Sequence, residues 1–416
     1  MGASPETLRP ALMASFLGSV IAVSQASAQT PSAEEMWKII QEQQATIEAL
    51  QAKISETDQK VEAAGEMIEQ AAGKGGNDRL HWGGYGELHY NAGDTQQIDV
   101  HRFVFFTEYE FNDKLRLQSE LELEHALAGE GQPGDIELEQ AFIEWDVGKE
   151  QRIYGGVHLV PVGLLNETHE PPTFFGVERN RVEAEIIPST WWEAGVGANG
   201  AIGNGLGYDL FVHSGLQTPV TGNNAFRVRS GRQKVAEAVA TDPAVTGRIK
   251  WNGMPGVSLA ASLQYQSDLT QNTDIAGDDT RADIDAWLYT VNADIRMGSW
   301  GLRALYAAWD MDGGATSVGP ASFGRDNQWG YYIEPSYRFT LPGMGANGDA
   351  VLGIFTRYGK FDSQAGDNTD SEEQEFDIGF NYWIHPDVVI KADYNQVSLQ
   401  EDSGDDRLNV GLGWQF

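Results

Sequence analysis

From Leu80 to the C-terminus, apolar and polar residues alternate with a period of two. Leu115, Leu117, Leu121 and Leu123 fall on one face, and Arg116, Gln118, Glu120, Glu122 and Glu124 on the other. Val257, Leu259, Ala261, Leu263 and Tyr265 oppose Ser258, Ser262, Gln264 and Gln266. Leu408, Val410, Leu412, Trp414 and Phe416 oppose Asn409, Gly411, Gly413 and Gln415. Alternation over about ten residues, repeated along a chain, marks a transmembrane β-barrel. A soluble sandwich also alternates. Here the strands are long, aromatics sit near strand ends, and the polar faces are continuous enough to line water, which favours the barrel.

Strands are predicted near 80–91, 98–111, 115–126, 136–146, 151–160, 189–200, 206–214, 246–252, 257–267, 282–296, 300–310, 326–340, 350–362, 374–384, 388–398 and 406–416, sixteen in all. An even number suits a bacterial barrel. Short connections such as Asn112–Lys114, Met254–Gly256 and His385–Asp387 alternate with long ones at 127–135, 161–188, 215–245, 268–281, 311–325 and 363–373. If the first strand starts at the periplasmic side, every long connection falls outside. Sixteen strands are expected to leave an aqueous channel rather than a packed core.

Before Leu80 the period is different. Met36, Ile40, Gln43, Ile47, Leu50, Ile54, Thr57, Val61, Ala64 and Ile68 are spaced by alternating fours and threes, a 3.5-residue repeat that predicts a coiled coil of about 50 Å. A single helix folded against another surface is the alternative. Its mixed d positions do not fix the number of strands. Gly73-Lys74-Gly75-Gly76 then makes a flexible joint; it lacks the spacing of a phosphate loop. Further upstream, Arg9, the apolar stretch Ala11–Val23 and Ala26-Ser27-Ala28 read as a secretory signal cleaved after Ala28. The expected architecture is all-β: a sixteen-stranded antiparallel transmembrane β-barrel with an N-terminal α-helical coiled coil. It divides into a signal peptide (1–28), a periplasmic coiled coil (29–72), a flexible linker (73–79) and an outer-membrane barrel (80–416).

Composition narrows the function. The 28 Lys and Arg against 61 Asp and Glu give a net charge of −33, which excludes a nucleic-acid partner. The chain has no cysteine, so thiol catalysis, Cys-zinc sites and disulfides are all excluded. No Ser-His-Asp order or pair of acids stands out, so no catalytic residue, no enzyme activity and no cofactor is expected. Asp274, Asp278 and Asp279 lack ligand spacing, and no metal site is predicted from them. Arg227, Arg229, Arg232 and Lys234 form a basic patch in the fourth loop; it attracts anions, meets lipopolysaccharide phosphates, or is simply solvated.

The connection 161–188 differs from a solvated loop. Leu164, Leu165, Phe174, Phe175 and Val177 need a wall to pack on. The expectation is a loop folded into the lumen, with Asn166, Glu167, His169, Glu170, Glu178, Arg179 and Arg181 as the pore constriction. A surface lid or a trimer contact is the alternative. Arg116, Glu120, Glu122, Glu124, Arg338 and Arg357 are assigned to the pore wall.

From Tyr85 onward the chain resembles the phosphate-selective porin (O and P type) family of outer-membrane channels. The likeness rests on Gly84–Tyr90, Asp99-Val100-His101-Arg102-Phe103, Glu120–His125, Glu137–Ala141 and, most of all, Leu164–Asn180. The terminal Phe416 is similar to the C-terminal aromatic signal of outer-membrane barrels. The resemblance implies a trimeric sixteen-stranded porin with an inward loop, in contact with outer-membrane lipid and lipopolysaccharide. Family members that bind phosphate carry a channel lysine cluster that is not found here. Wall positions instead carry Arg116, Arg248, Lys250, Arg296, Arg303, Arg338, Arg357 and Lys391 against Glu87, Glu120, Glu122, Glu124, Asp294, Glu334, Asp377 and Asp393. That balance predicts weak ion selectivity, with Arg179 and Arg181 supplying the attraction for anions and His169 adding charge below about pH 6.5. Two functions stay open: passive diffusion of small hydrophilic solutes and ions, phosphate or other anions among them, or a structural or adhesive anchor whose coil links the barrel to a periplasmic or cell-wall partner.

Overall fold

A computed structural model describes residues 79–416 apart from 94, 130, 276–282, 315–317, 367–370 and 400–405. The expected signal peptide lies outside the described residues, as do the coiled coil (but for Trp37 and Gln44), the linker up to Asp78, and Asp278 and Asp279.

Sixteen strands form one closed antiparallel barrel in which each strand pairs with its sequence neighbours. They are β1 (Leu80–Ala92), β2 (Gln96–Asn112), β3 (Leu115–Glu124), β4 (Ile136–Asp146), β5 (Gln151–Leu159) and β6 (Trp192–Gly203). Next come β7 (Leu206–His213), β8 (Ala244–Met254), β9 (Val257–Gln266), β10 (Asp285–Met297) and β11 (Trp300–Asp312). The last five are β12 (Asn327–Gly345), β13 (Gly348–Asp362), β14 (Glu373–His385), β15 (Val388–Leu399) and β16 (Arg407–Gln415).

The ring closes because β1 pairs with β16, from Tyr85 opposite Gln415 to Ala92 opposite Leu408. Gly84 and Phe416 exchange backbone hydrogen bonds of 3.0 and 2.9 Å, so the last residue completes the seam. The Phe416 ring lies 6.2 Å from those of Trp82, Phe103 and Phe105 on the outer surface. Closure leaves no edge strand with unpaired backbone groups, as a bilayer requires.

The period of two determines which side chains meet lipid. On β3, Leu121 is 48 % exposed while its neighbours Glu120 and Glu122 are 2 % and 4 % exposed. On β14, Ile378 is 50 % exposed and Asp377 is buried. An apolar outside around a polar inside is the reverse of a water-soluble fold and fits a surface bathed in hydrocarbon.

The interior differs from the open aqueous tube expected of sixteen strands. Part of it is a packed apolar core of Ile186, Trp191, Phe211, Leu216, Phe226, Leu269, Ile284, Trp309 and Phe361, all buried. These residues come from three inward-folded connections and from the inner faces of the strands around them. L3 is residues 160–191 between β5 and β6, L4 is residues 214–243 between β7 and β8, and the connection between β9 and β10 supplies Leu269 and Ile284. A barrel wide enough for water has space for these loops, and their apolar side chains remove one another from that water.

Candidate channel constriction

L3 is clamped where it enters and leaves the wall. The Asn166 amide donates to the carbonyls of Val160 at 2.8 Å and Trp191 at 3.0 Å, and its oxygen accepts from the Trp191 N–H at 2.7 Å. Midway, L3 carries the one-turn helix α1 (Arg181–Glu185), whose N-cap Asn180 accepts from Glu183 N at 2.9 Å. The buried Glu183 carboxylate accepts from Leu164 N, Leu165 N and the Tyr332 hydroxyl at 2.7–2.8 Å. Burial alone raises the Glu183 carboxyl, and these donors work against that rise.

The segment between clamp and helix lies along the far wall. Its carbonyls are taken up one by one: Thr173 by Arg303 at 2.9 Å, Phe174 by Asn381 at 2.8 Å, Phe175 by Arg357 at 2.7 Å and Gly176 by Lys391 at 2.8 Å. Val177 N donates to Asp393 at 2.6 Å. Glycines let the loop come this close, since a Cβ at Gly413 would meet Pro171 at 2.3 Å and one at Gly353 would meet Phe175 at 2.7 Å.

These contacts change the meaning of the wall charges. Arg357 pairs with Glu334 and Asp377, Arg303 with Asp294, Arg248 with Asp209 and Glu167, and Arg116 with Glu144 and Asp146. Arg338 sits over the rings of Phe175 and Trp383 at 5.5 and 5.0 Å. Most of the basic wall residues therefore hold protein groups.

The predicted constriction residues part company. Arg179 and Glu178 line a cavity between L3, L4 and β1–β4, together with the wall residues Glu122 and Glu124. Arg181 turns away, 2.6 Å from Glu373 and over the Phe361 ring at 5.3 Å. Glu167 is on Arg248, Asn166 is wholly buried in the clamp, and Glu170 is half-buried beside the turn that follows it. His169 is also buried. Its Nδ1 faces the Asn166 carbonyl at 3.2 Å, and its Nε2 lies 3.7 Å from Glu120 and 3.6 Å from Glu139. Burial would lower this imidazole, but the two carboxylates outweigh it and hold it well above 6.5. This direction runs against the expectation that His169 charges only below about pH 6.5.

The cavity has a volume of about 230 Å³ and two unlike walls. Glu87, Glu122, Glu124, Glu137 and Glu139 form one, on β1, β3 and β4; Arg179, Arg229, Arg232 and Lys234 dominate the other, on L3 and L4, where Glu178 also lies and from which Lys234 reaches across to pair with Glu137. Arg102 stands on the acidic side, 2.7 Å from Glu87 and 3.6 Å from Glu122. Arg232 donates to the Thr190 carbonyl at 2.6 Å and Arg179 to the Thr190 hydroxyl at 3.1 Å. Arg179 Nε and Nη2 and Arg232 Nε are buried without a hydrogen-bond partner. Burial and the neighbouring Arg229 push Arg232 down to about 10, so it stays charged at neutral pH. Sequence reasoning saw Arg229 and Arg232 only as part of a loop patch, and it placed His89, His101, Arg102, Glu137 and Glu139 in the motifs that carry the resemblance without assigning them to the site. The alternation Glu137-x-Glu139 was a visible signal for two of them.

No family model matches the chain. A protein of Aquifex aeolicus (strain VF5) described as uncharacterized is 28 % identical over 349 residues, 80 % of this chain and 79 % of that one. Among solved structures, Salmonella typhi OmpF in complex with daunomycin superposes with a TM-score of 0.56 at 16 % identity, covering 82 % of this chain and 99 % of that one. An anion-selective porin from Comamonas acidovorans gives 0.54 at 13 % identity, with 81 % and 99 % covered. The outer membrane channel DcaP of Acinetobacter baumannii gives 0.54 at 13 % identity, with 81 % and 97 % covered. The chain has the fold of an outer-membrane porin.

Proposed function

We propose that this protein is an outer-membrane channel for passive diffusion of small hydrophilic solutes and ions. Its constriction is the cavity between the carboxylates of β1, β3 and β4 and the guanidinium groups of L3 and L4. The observation that carries this reading is the segregation of charge across a cavity inside a lipid-facing barrel. Such a pair of walls sets a field across the path, which orients dipolar solutes and separates the tracks of anions and cations. The unpartnered nitrogens of Arg179 and Arg232 give an anion its best contact, phosphate included. Membership of the phosphate-selective porin family, a homotrimer in contact with lipopolysaccharide, and a periplasmic coiled coil belong to the same proposal, supported by the sequence resemblance and the heptads.

The apolar core that fills part of the lumen favours a second reading, a structural or adhesive anchor whose coil reaches a periplasmic or cell-wall partner. Single-channel recording in a planar bilayer separates the two. Discrete conductance steps, with a reversal potential that moves toward cation preference in Arg179→Gln/Arg232→Gln, are expected. Absence of steps from correctly folded protein would leave the anchor as the better description.

A further inference from the structure

At the long-loop end of β1–β3, three side chains that are distant in sequence converge. Asp99 Oδ2 lies 2.7 Å from His125 Nδ1 and 3.5 Å from His101 Nδ1. The three donor atoms all lie within 4.8 Å of one another. In a tetrahedral site with bonds of about 2.0–2.1 Å, ligand atoms stand about 3.3 Å apart, a value these contacts bracket. The side chains are 31 %, 25 % and 29 % exposed, so ions in solution can reach them.

Two departures from regular strand geometry aim these side chains. The β1–β2 register passes from Glu87 opposite Arg102 to Leu88 opposite Val100, leaving His101 in a bulge. A bulge defeats the alternation, so His101 and Arg102 both serve the inner face. Just past β3, His125 has a φ of +58°, a left-handed conformation uncommon for a residue with a Cβ, and its N–H donates to the His101 carbonyl at 3.1 Å. A bulge and a disfavoured backbone thus serve the same small volume, the kind of placement found where a side chain has a task. His89 stacks on His101 at 4.6 Å between ring centres, but its two nitrogens are held by Glu178 at 3.1 Å and Glu87 at 3.2 Å. His101 and His125 share one acceptor, Asp99, through one ring nitrogen each.

We propose that Asp99, His101 and His125 form a binding site for a divalent transition-metal ion of the Zn²⁺ class, and that its occupancy lowers current through the channel. Two imidazoles and a carboxylate suit Zn²⁺, Ni²⁺ or Cu²⁺ and suit Mg²⁺ poorly. Three protein ligands leave a fourth position for water or solute. Glu124, next to His125 in the chain, converges with Asp135 and Glu137, and although Lys234 pairs with Glu137 the other two carboxylates favour the approach of cations. His101 also lines the constriction cavity, so a bound ion places positive charge at its rim.

The effect on current rests on the channel reading; the binding does not, and the two are measured separately. Calorimetric titration of the full-length protein in detergent with ZnCl2 should show one saturable site per chain, with MgCl2 giving no comparable heat. His101→Ala/His125→Ala should weaken that binding at least tenfold. So should Asp99→Asn, which keeps a hydrogen-bonding oxygen but loses the charge. Far-UV circular dichroism verifies that each variant remains folded. In planar bilayers, ZnCl2 up to about 100 μM should reduce the current at least twofold, EDTA should restore it, and the double variant should not respond. Absence of saturable zinc binding, or binding that survives both variants, would overturn the site. Zinc binding with unchanged current in a conducting channel would overturn the proposed effect on flow. Failure to conduct at all, with zinc binding intact, would sink the channel reading and leave the metal site standing.

Discussion

Arg357 ties L3 to the barrel wall at Phe175. It is 3 % exposed. Its Nε donates to Glu334 at 2.9 Å, Nη1 to Asp377 at 3.2 Å and Nη2 to the Phe175 carbonyl at 2.7 Å. The change Arg357→Met keeps most of the aliphatic stem and removes all three bonds. Glu334 and Asp377, both buried, then stand without their cation, and breaking a buried pair in this way costs about 3–5 kcal/mol. The Phe175 carbonyl loses a donor as well, so the loop segment at 174–177 should loosen. Replacing the ion-paired triad is different: Arg357→Met with Glu334→Gln and Asp377→Asn leaves neither of the two paired carboxylates charged and alone, and neutral replacement of a buried ion cluster is often close to isoenergetic. The assay is urea unfolding in lipid vesicles, followed by tryptophan fluorescence, with current noise in planar bilayers as the readout of loop position. The single variant should lose about 3–5 kcal/mol and the triple variant should recover most of it. A single-variant loss below about 1 kcal/mol, or a triple variant no more stable than the single one, would refute the reasoning.

Gly413→Val should destabilise the barrel by about 1–3 kcal/mol through overpacking against Pro171, whereas Gly247→Ala, whose Cβ meets nothing within 4 Å, should be neutral in the same unfolding assay. Trp191→Ala should cost about 3–5 kcal/mol and raise single-channel conductance, because Trp191 is wholly buried in the core that narrows the lumen; unchanged conductance would place that core away from the path. His169 has a raised pKa, so its attraction to Glu120 and Glu139 is fully present below pH 6.5 and fades only as pH rises through the raised value. Current noise should therefore be low below pH 6.5 and grow only as pH rises above it, and His169→Gln should be noisy already at pH 6. A variant as quiet as the unsubstituted protein would mean that this contact does not hold the loop.

The strand number, the order of long and short connections, and the face assigned to each residue of β3 were legible in the sequence, because a strand between lipid and polar interior must alternate. Strand ends moved where loops rejoin the wall. The predicted strand 189–200 begins instead at Trp192, because Trp191 turns into the core and its backbone closes the Asn166 clamp. The inward fold of L3 was legible from Leu165, Phe174, Phe175 and Val177, which are buried. That of L4 was not, although the buried Phe226 and Val228 flank Arg227, the first residue of its basic patch.

By itself, then, the sequence determined the barrel, since period, strand length and charge face are local properties that every alternating segment repeats. The tertiary structure decided which charges remain available. A count of bases and acids along the wall cannot see that Arg303, Arg357 and Lys391 hold the carbonyls of L3, or that Arg181 and Arg179, two residues apart, point to different partners. Nor does alternation place His101 and Arg102 together, because the bulge that joins them exists only in the register of β1 against β2. Pairing, register and loop docking depend on contacts between segments far apart in the chain, and it is those contacts that leave the cavity acidic on one side and basic on the other.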